Sequence, residues 1–508
     1  MQQRIKVFGP PGTGKTTYCL DLLCEHLQAG ESVSFLTYSK AAQLEAEGRL
    51  IRTFSKVPEN ATVKTIHATC MAMLAIPKAS VFSPGPKMQL FYAAIGAAYK
   101  QNSRTGDAIR EALALDNYLA NTGNLVRADA NYTPFADRHN TEAIIRALRQ
   151  FKTNEGYVDF NDMLLRVAKG EGTCKHHDVV IIDEAQDLTT LQWEVAERLY
   201  GGASHVYVVG DDDQCIYSYN GADVRRFLSW TCDAVKVLGY TYRLPKNILT
   251  YSQRIITQVP IRQAKEISCS NKVGNVYQDI NTFEEFPFGT KPKELYLVRN
   301  NHMKRRIHRV LADQGVPYSG KDSPYTDFST MPARIFRGIT IASYWVDHEI
   351  TYGDWAKMKL VMRGREHFMQ MIEDRYPGAT KGSNVNIPPL QTILQGEFDA
   401  TTPGWWRSLF PEIPAHWHSQ FQLALSRFTL AQCASPSMEV STIHAAKGKE
   451  ADRVYVCSAL TDKLYHGIKG SVYDEHRLFY VAATRTKQDL MIIHDHTAAG
   501  NQYPFPKL

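Results

Sequence analysis

Short apolar runs recur along this chain, each closed by glycine or polar residues and followed by a stretch of helical rhythm. Ile5–Phe8, Val33–Thr37, Val63–Ile66, Val179–Ile182 and Val206–Val209 form one set. Val235–Leu238, Glu294–Val298, Val440–Thr442, Arg453–Ser458 and Leu490–His494 form a second. Runs apolar at consecutive rather than alternate positions mark strands buried on both faces, as in parallel sheets covered by helices. Two such sets predict an α/β chain with two parallel-sheet cores. The intervening stretches have another character. Residues 71–156 are rich in Ala, Leu and Arg and read as helical; residues 325–435 are rich in aromatics and Pro, lack strand rhythm and also read as mainly helical. Each is too long for a structureless loop, so each is expected to be an inserted subdomain. The expected division is a first core of 1–70 and 157–235 carrying the insert 71–156, and a second core of 236–324 and 436–508 carrying the insert 325–435.

Chemistry enters at the end of the first run. Residues 9–16 read GPPGTGKT and fit G-x-x-x-x-G-K-[ST], between the strand-like Ile5–Phe8 and the helix-like Thr16–Leu27. Such a loop wraps phosphate oxygens in backbone N–H groups and points a helix N-terminus at them. Gly9, Pro10, Pro11, Gly12, Thr13, Gly14 and Thr17 would form the cradle. Lys15 would neutralise the β- and γ-phosphates, and Thr16 would offer its hydroxyl to Mg²⁺. The run Val179–Ile182 leads directly into Asp183-Glu184-Ala185-Gln186-Asp187. Asp183 is placed to hold the same Mg²⁺ and Glu184 to accept a proton from the attacking water. Alone the two acids read as a helix N-cap; beside residues 9–16 they read as the other half of a site for a nucleoside triphosphate and Mg²⁺.

Composition narrows this little. The 508 residues suffice for two to four compact units, and 44% hydrophobic residues support real cores. A net charge of +6 is compatible with nucleic acid without establishing it. The nine cysteines include no C-x-x-C pair, which speaks against a zinc ribbon or iron–sulfur cluster and for a reduced cytoplasmic, or in a eukaryote nuclear, setting. The strand-like run starts within the first few residues, so no signal peptide is expected, and no apolar run approaches a membrane span. His176–His177 and His494/His496 read as surface histidines. Lys304, Arg305, Arg306 and Arg309 read either as a phosphate contact or as a solvated helix face.

Further strings carry a resemblance. Phe35–Ala42 (FLTYSKAA), Lys64–Ala68 (KTIHA), Val209–Asp223 (VGDDDQCIYSYNGAD), Leu238–Leu249 (LGYTYRLPKNIL), Val440–Asp452 (VSTIHAAKGKEAD) and Arg477–Lys487 (RLFYVAATRTK) stand in order around the acidic string. Weaker echoes lie in Val158–Leu165 and Leu297–Tyr318. In this the chain resembles superfamily 1 DNA helicases of the UvrD/Rep/PcrA type. The resemblance implies two RecA-like cores with inserted helical subdomains, and an ATP-dependent helicase moving 3′→5′ on single-stranded DNA in replication, repair or recombination. Gln214 resembles the family's γ-phosphate sensor, Arg243 an arginine reaching the γ-phosphate from the second core, and Arg485 the arginine finger. Tyr242 would stack on adenine and Glu450 would contact the ribose. Tyr38, Tyr217 and Tyr219 match positions that meet bases or backbone, and stacking on aromatics suits sequence-tolerant binding. Thr65, His67 and His444 would address the DNA backbone. Tyr465 falls near the family's duplex-splitting aromatic.

The match also breaks. No glutamine motif precedes the phosphate loop at the family's spacing, and Thr17 stands where the family has arginine. Both are adenine contacts, so relaxed base selectivity is expected. Asn220 replaces an arginine beside the DNA-stacking position. The expected partners are single-stranded DNA and its junctions with duplex, for a monomer that joins a replication or nuclease partner. Two readings remain beside robust unwinding: a translocase that remodels protein–DNA complexes, and the motor subunit of a helicase–nuclease assembly. RNA stays open as the strand.

Overall fold

The computed structural model describes residues 2–37, 39–83, 85–97, 108–123, 138–280, 288–362, 364–394, 405–461, 472–494 and 501–507. The chain divides into two compact units. The first comprises Met1–Leu244, Gln253–Asn271 and Ser471–Tyr480; the second comprises Pro245–Ser252, Lys272–Gly470 and Val481–Leu508.

The first unit is built on β1 (Gln3–Phe8), β2 (Val33–Thr37), β3 (Ala61–Thr65), β4 (Val179–Ile182), β5 (His205–Gly210) and β6 (Ala234–Val237), in spatial order β3-β2-β4-β5-β1-β6 with every neighbour parallel. Both faces are covered, which is why the strands read as unbroken apolar runs. One face sets Val7, Phe35, Val63, Ile181 and Val209 against Leu20, Leu23 and Leu27 of the helix Lys15–Gln28. The other sets Phe8, Leu36, Ile182 and Val208 against Met163, Leu164, Trp193 and Val195 from the helices Phe160–Ala168 and Thr190–Tyr200. The described part of 71–156 is helical. Phe82, Phe91, Tyr92, Ala112, Ile145 and Leu148 there form a small core of their own.

The run Val235–Leu238, expected in the second sheet, lies in the first: β6 pairs with β1 from Ile5↔Ala234 to Phe8↔Val237. All four of its residues are exposed, as befits an edge strand. An edge strand satisfies its backbone on one side only, and its sequence does not record which sheet provides that side. Residues 239–244 follow it into the first unit, as do 253–271 and 471–480. The two-residue strands β7 (Tyr240–Thr241) and β8 (Ser268–Cys269) pair in parallel within this unit.

The second unit holds β9 (Asn275–Ile280), β10 (Glu294–Val298), β11 (Tyr318–Ser319), β14 (Met438–Thr442), β15 (Ala451–Cys457) and β16 (Thr486–Ile493), in the order β11-β14-β10-β15-β16-β9 and again parallel throughout. Between β11 and β14 a small antiparallel pair, β12 (Ile350–Thr351) and β13 (Asn386–Ile387), interrupts an otherwise helical stretch. β9 opens on Asn275 and carries Gln278, so no apolar run announces it. Here the insert does not stand apart. Tyr296, Val440, Tyr455 and Met491 of the sheet share one continuous core with Phe336, Trp345, Trp355 and Phe421 of the insert. No helix of the described residues is long and apolar enough to cross a membrane.

Candidate nucleotide and nucleic-acid site

The phosphate loop leaves β1 at the carboxyl edge of the first sheet, where ligands of open parallel sheets bind. Gly9 N–H donates to Gly210 O at 2.9 Å, tying the loop to the end of β5. Thr13 closes the turn by donating its hydroxyl to Pro10 O at 2.8 Å. Gly12 and Gly14 adopt φ of 73° and 80°, open to glycine at little cost. The helix Lys15–Gln28 starts on Gly14 without a side-chain cap, so its first N–H groups face the loop uncovered by a side chain. The Lys15 ammonium donates to Gly9 O at 2.5 Å.

Residues 241–243 lie directly on this loop. Tyr242 N–H donates to Gly12 O at 2.9 Å and Thr241 Oγ1 to Pro11 O at 2.8 Å. A Cβ on Gly12 would stand 2.4 Å from Arg243 Cβ, so the loop needs glycine there for contact as well as for conformation. Tyr242 is 78% exposed, its ring 4.9 Å from Tyr240. Arg243 was expected from the second core; its segment follows the edge strand β6 into the first unit, where these bonds hold it to the loop.

Asp183 is buried at the end of β4, its N–H bonded to Leu36 O. Burial, and then the Glu184 charge, push its carboxyl up to about 7, with Lys15 pulling the other way. Glu184 adopts a left-handed backbone, φ 54°, uncommon for a residue with a side chain. Its Oε2 accepts from Gln186 Nε2 at 2.5 Å, and Gln186 Oε1 accepts from the Asp211 N–H at 2.9 Å. Asp211 Oδ2 then accepts from Gln214 Nε2 at 2.7 Å. One hydrogen-bonded series therefore runs from Glu184 to Gln214. The Asp183 carboxylate and the Thr16 hydroxyl are oxygen donors of the kind hard divalent cations take, and a buried acid held near neutrality gains from a cation's charge. The residues fit Mg²⁺.

Sequence reasoning missed what lies beneath Gln214. Asp211, Asp212 and Asp213 are all buried and converge on the ammonium of Lys265, at 2.8, 2.5 and 2.9 Å. Arg262 binds Asp213 through Nε and Nη2 at 2.8 and 2.6 Å. Arg477 donates to Asp212 O and Ile261 O. Burial, then repulsion from Asp213 and Asp211, raises Asp212 to about 6 against the pull of Lys265. Burial would raise Asp211 too, but Lys265 and Lys15 hold it below the usual carboxylate range. The only signal in the sequence was the need itself: three adjacent buried acids require cations from elsewhere.

Thr65 and His67 line a cavity of about 320 Å³ with Asn117, Asn121, Phe160, Asn161 and Asn220. Thr65 also caps the helix Ile66–Met73, its hydroxyl accepting from Ala68 N–H. His67 meets Phe160 edge-on at 5.2 Å, and burial lowers its pKa. Asn161 donates to Asn117 and Asn117 to Asn220, at 2.8 and 2.9 Å. The Tyr217 and Tyr219 rings are 6.2 Å apart, with Tyr219 57% exposed. Tyr38 and Tyr465 lie outside the described residues.

In the second unit, His444 lies in the turn after β14. Glu450 pairs with Lys487 at 2.5 Å. Arg485 is buried, donating from Nε to Val481 O and from Nη2 to Thr484 Oγ1. Two surface expectations fail. Lys304 is buried, bonded to Lys321 O and 3.5 Å from Asp322, so the basic cluster loses its first member to the interior. His177 is buried with Nε2 2.9 Å from Thr62 Oγ1.

Comparison with known proteins follows the same lines. Residues 1–234 match the UvrD/REP helicase N-terminal domain and residues 419–497 the UvrD-like helicase C-terminal domain, more than half the chain together. A DNA helicase II homologue of Mycoplasma capricolum is 24% identical over 356 residues, 62% of this chain and 49% of that protein. DNA helicase II of Escherichia coli is 26% identical over 204 residues, covering 35% and 28%. The RecBCD subunit RecB of Mycobacterium tuberculosis is 28% identical over 116 residues, covering 21% and 11%. The chain spans about half the length of the Mycoplasma relative and less of the others. With both domains matched in order, the chain belongs to the UvrD/Rep helicase family.

Proposed function

We propose that this chain hydrolyses ATP to move 3′→5′ along single-stranded DNA and to unwind duplex ahead of it, in replication or repair. One observation carries the reading. The segment Asp211–Asn220 bonds Gln214 into the Glu184 series at one end and sets Asn220 in the wall of the 320 Å³ cavity at the other. A change at the phosphate site thus has a short covalent path to a place where a strand can lie.

Lys15 and the loop N–H groups bind the triphosphate, and Glu184 takes the proton of the attacking water. Thr16 and Asp183 would hold Mg²⁺, which supplies charge to the β- and γ-phosphate oxygens. Gln214, Arg243 and Arg485 are assigned to the transferring phosphoryl group, whose charge needs preorganised donors. Tyr242, exposed beside the loop, is assigned to the base and Glu450 to the ribose. Tyr217, Tyr219, Thr65, His67 and His444 are assigned to the strand. The stretch similar to RecB supports one second reading, a motor subunit paired with a nuclease chain.

The test is ATP hydrolysis with and without single-stranded DNA at low and moderate salt. Strong stimulation that weakens with salt is expected; a rate indifferent to DNA sinks the motor reading. Displacement of streptavidin from 3′- or 5′-biotinylated strands tests polarity: release from the 5′ end alone supports 3′→5′ movement. Activity that appears only when a nuclease chain is added favours the second reading.

A further inference from the structure

The three acids beneath Gln214 bring one carboxylate oxygen each within 4.8 Å of one another, an arrangement that elsewhere would hold a cation. Here protein donors take all six oxygens. Lys265 bonds one oxygen of each acid. Arg262 takes both oxygens of Asp213, Gln263 N–H takes Asp212 Oδ2 at 2.7 Å, and Gln214 Nε2 takes Asp211 Oδ2. The ammonium is fully buried and lies 5.6 Å from the ring of Phe8, the residue before the phosphate loop. A lysine thus stands where a metal would.

We propose that Lys265 is a positioning residue for nucleotide hydrolysis: by fixing Asp211 Oδ1 it orients Asp211 Oδ2, and so the carboxamide of Gln214, for the phosphate. The inference rests on the reading of Gln214 given above. A carboxylate rotates about one bond, so holding one oxygen places the other. With Gln214 Nε2 bound there, its amide oxygen lies on the side away from Asp211. The Asp211 backbone N–H also holds Gln186, and Gln186 holds Glu184. Lys265 therefore anchors the series that ends on the residue assigned as proton acceptor, while its own ammonium is fully buried among the acids.

The alternative is that Lys265 merely neutralises buried acids, and charge counting separates the two. Lys265→Met alone leaves three buried carboxylates with one guanidinium. Adding Asp212→Asn restores the net charge of the cluster and leaves Asp211 and Gln214 unaltered. In the full chain with saturating single-stranded DNA, the double variant is expected to melt near the wild type and bind ATP within about twofold. Its kcat is expected to fall roughly 10²-fold, as for a displaced positioning group. In a Gln214→Ala background the same pair of changes should cost little more, because both act through one group. Should the double variant unfold, Asp211→Asn takes its place and is expected to show the same kcat loss at unchanged ATP affinity. Wild-type kcat in the folded variant, or a loss that multiplies in full onto Gln214→Ala, overturns the proposal while the motor reading stands. A wild-type chain that hydrolyses no nucleotide overturns both.

Discussion

Glu184 stores backbone strain at the residue proposed to accept the proton of the attacking water. Its left-handed φ of 54° places the residue in a region that side chains visit rarely, and the bond from Gln186 holds the carboxylate while the strain persists. Glu184→Gln keeps size and hydrogen-bond capacity but removes the proton acceptor. Single-turnover hydrolysis is expected to drop about 10²- to 10⁴-fold with ATP affinity nearly unchanged; unaltered turnover would remove Glu184 from the mechanism. Tyr242, proposed to meet the base, is exposed and offers a ring face that any base can stack on, and Thr17 supplies no guanidinium to read adenine. GTP and CTP are therefore expected to be hydrolysed measurably beside ATP, and Tyr242→Ala to raise KM for all three. Strict ATP dependence in a nucleotide panel would refute this.

Elements bring these residues together through close approach as much as through bonding. Gly210 ends β5 with Gln186 pressed against it: a Cβ there would lie 2.4 Å from Gln186 Oε1 and 3.2 Å from Gln186 N. Gly210→Ala is expected to cost about 1–3 kcal/mol as overpacking and to slow hydrolysis by moving Gln186 off Glu184. Thermal unfolding and kcat measured on one preparation check both, and a variant with unchanged kcat would show that Gln186 adjusts without consequence. What was legible in the sequence divides along the same line. The phosphate loop, the acidic string and the paired strands β1, β2, β4 and β5 were readable because neighbouring residues determine them: a glycine spacing, a lysine, a run buried on both faces. The sheet that β6 joins and the roles of Lys265 and Arg262 were not, since each takes its meaning from a partner far along the chain. β9 escaped because a polar strand has no hydrophobic rhythm to show.

At the scale of the whole molecule, the two units differ in how they are sewn together. The insert of the first keeps a core of its own, whereas sheet and insert of the second share one. A titratable group sits against that shared core. His308 stacks on Tyr318 at 4.6 Å, and its Nε2 is buried without a partner. Burial, and then the charge of Lys304, lower it from the usual 6.5 to about 4, with Asp322 opposing. Between those values the unfolded chain takes up a proton that the folded chain refuses. Stability present above pH 6.5 is thus expected to fall as pH drops toward 4, by up to roughly 3 kcal/mol. Urea midpoints at pH 7, 5.5 and 4.5 measure it, and His308→Phe should flatten that slope; an equally steep slope in the variant would assign the loss to other groups.

The first unit is assembled from three separated stretches of chain, and its buried acids wait for the second of them. On a ribosome, Asp211, Asp212 and Asp213 emerge well before Lys265, and Arg477 emerges far later still. Until Lys265 arrives, burying that loop would strand three charges, so water is the better place for it. The acid cluster therefore cannot be buried in the order in which it is written. A nascent chain halted after Leu244 should expose the loop to protease, and one extended through Tyr480 should protect it.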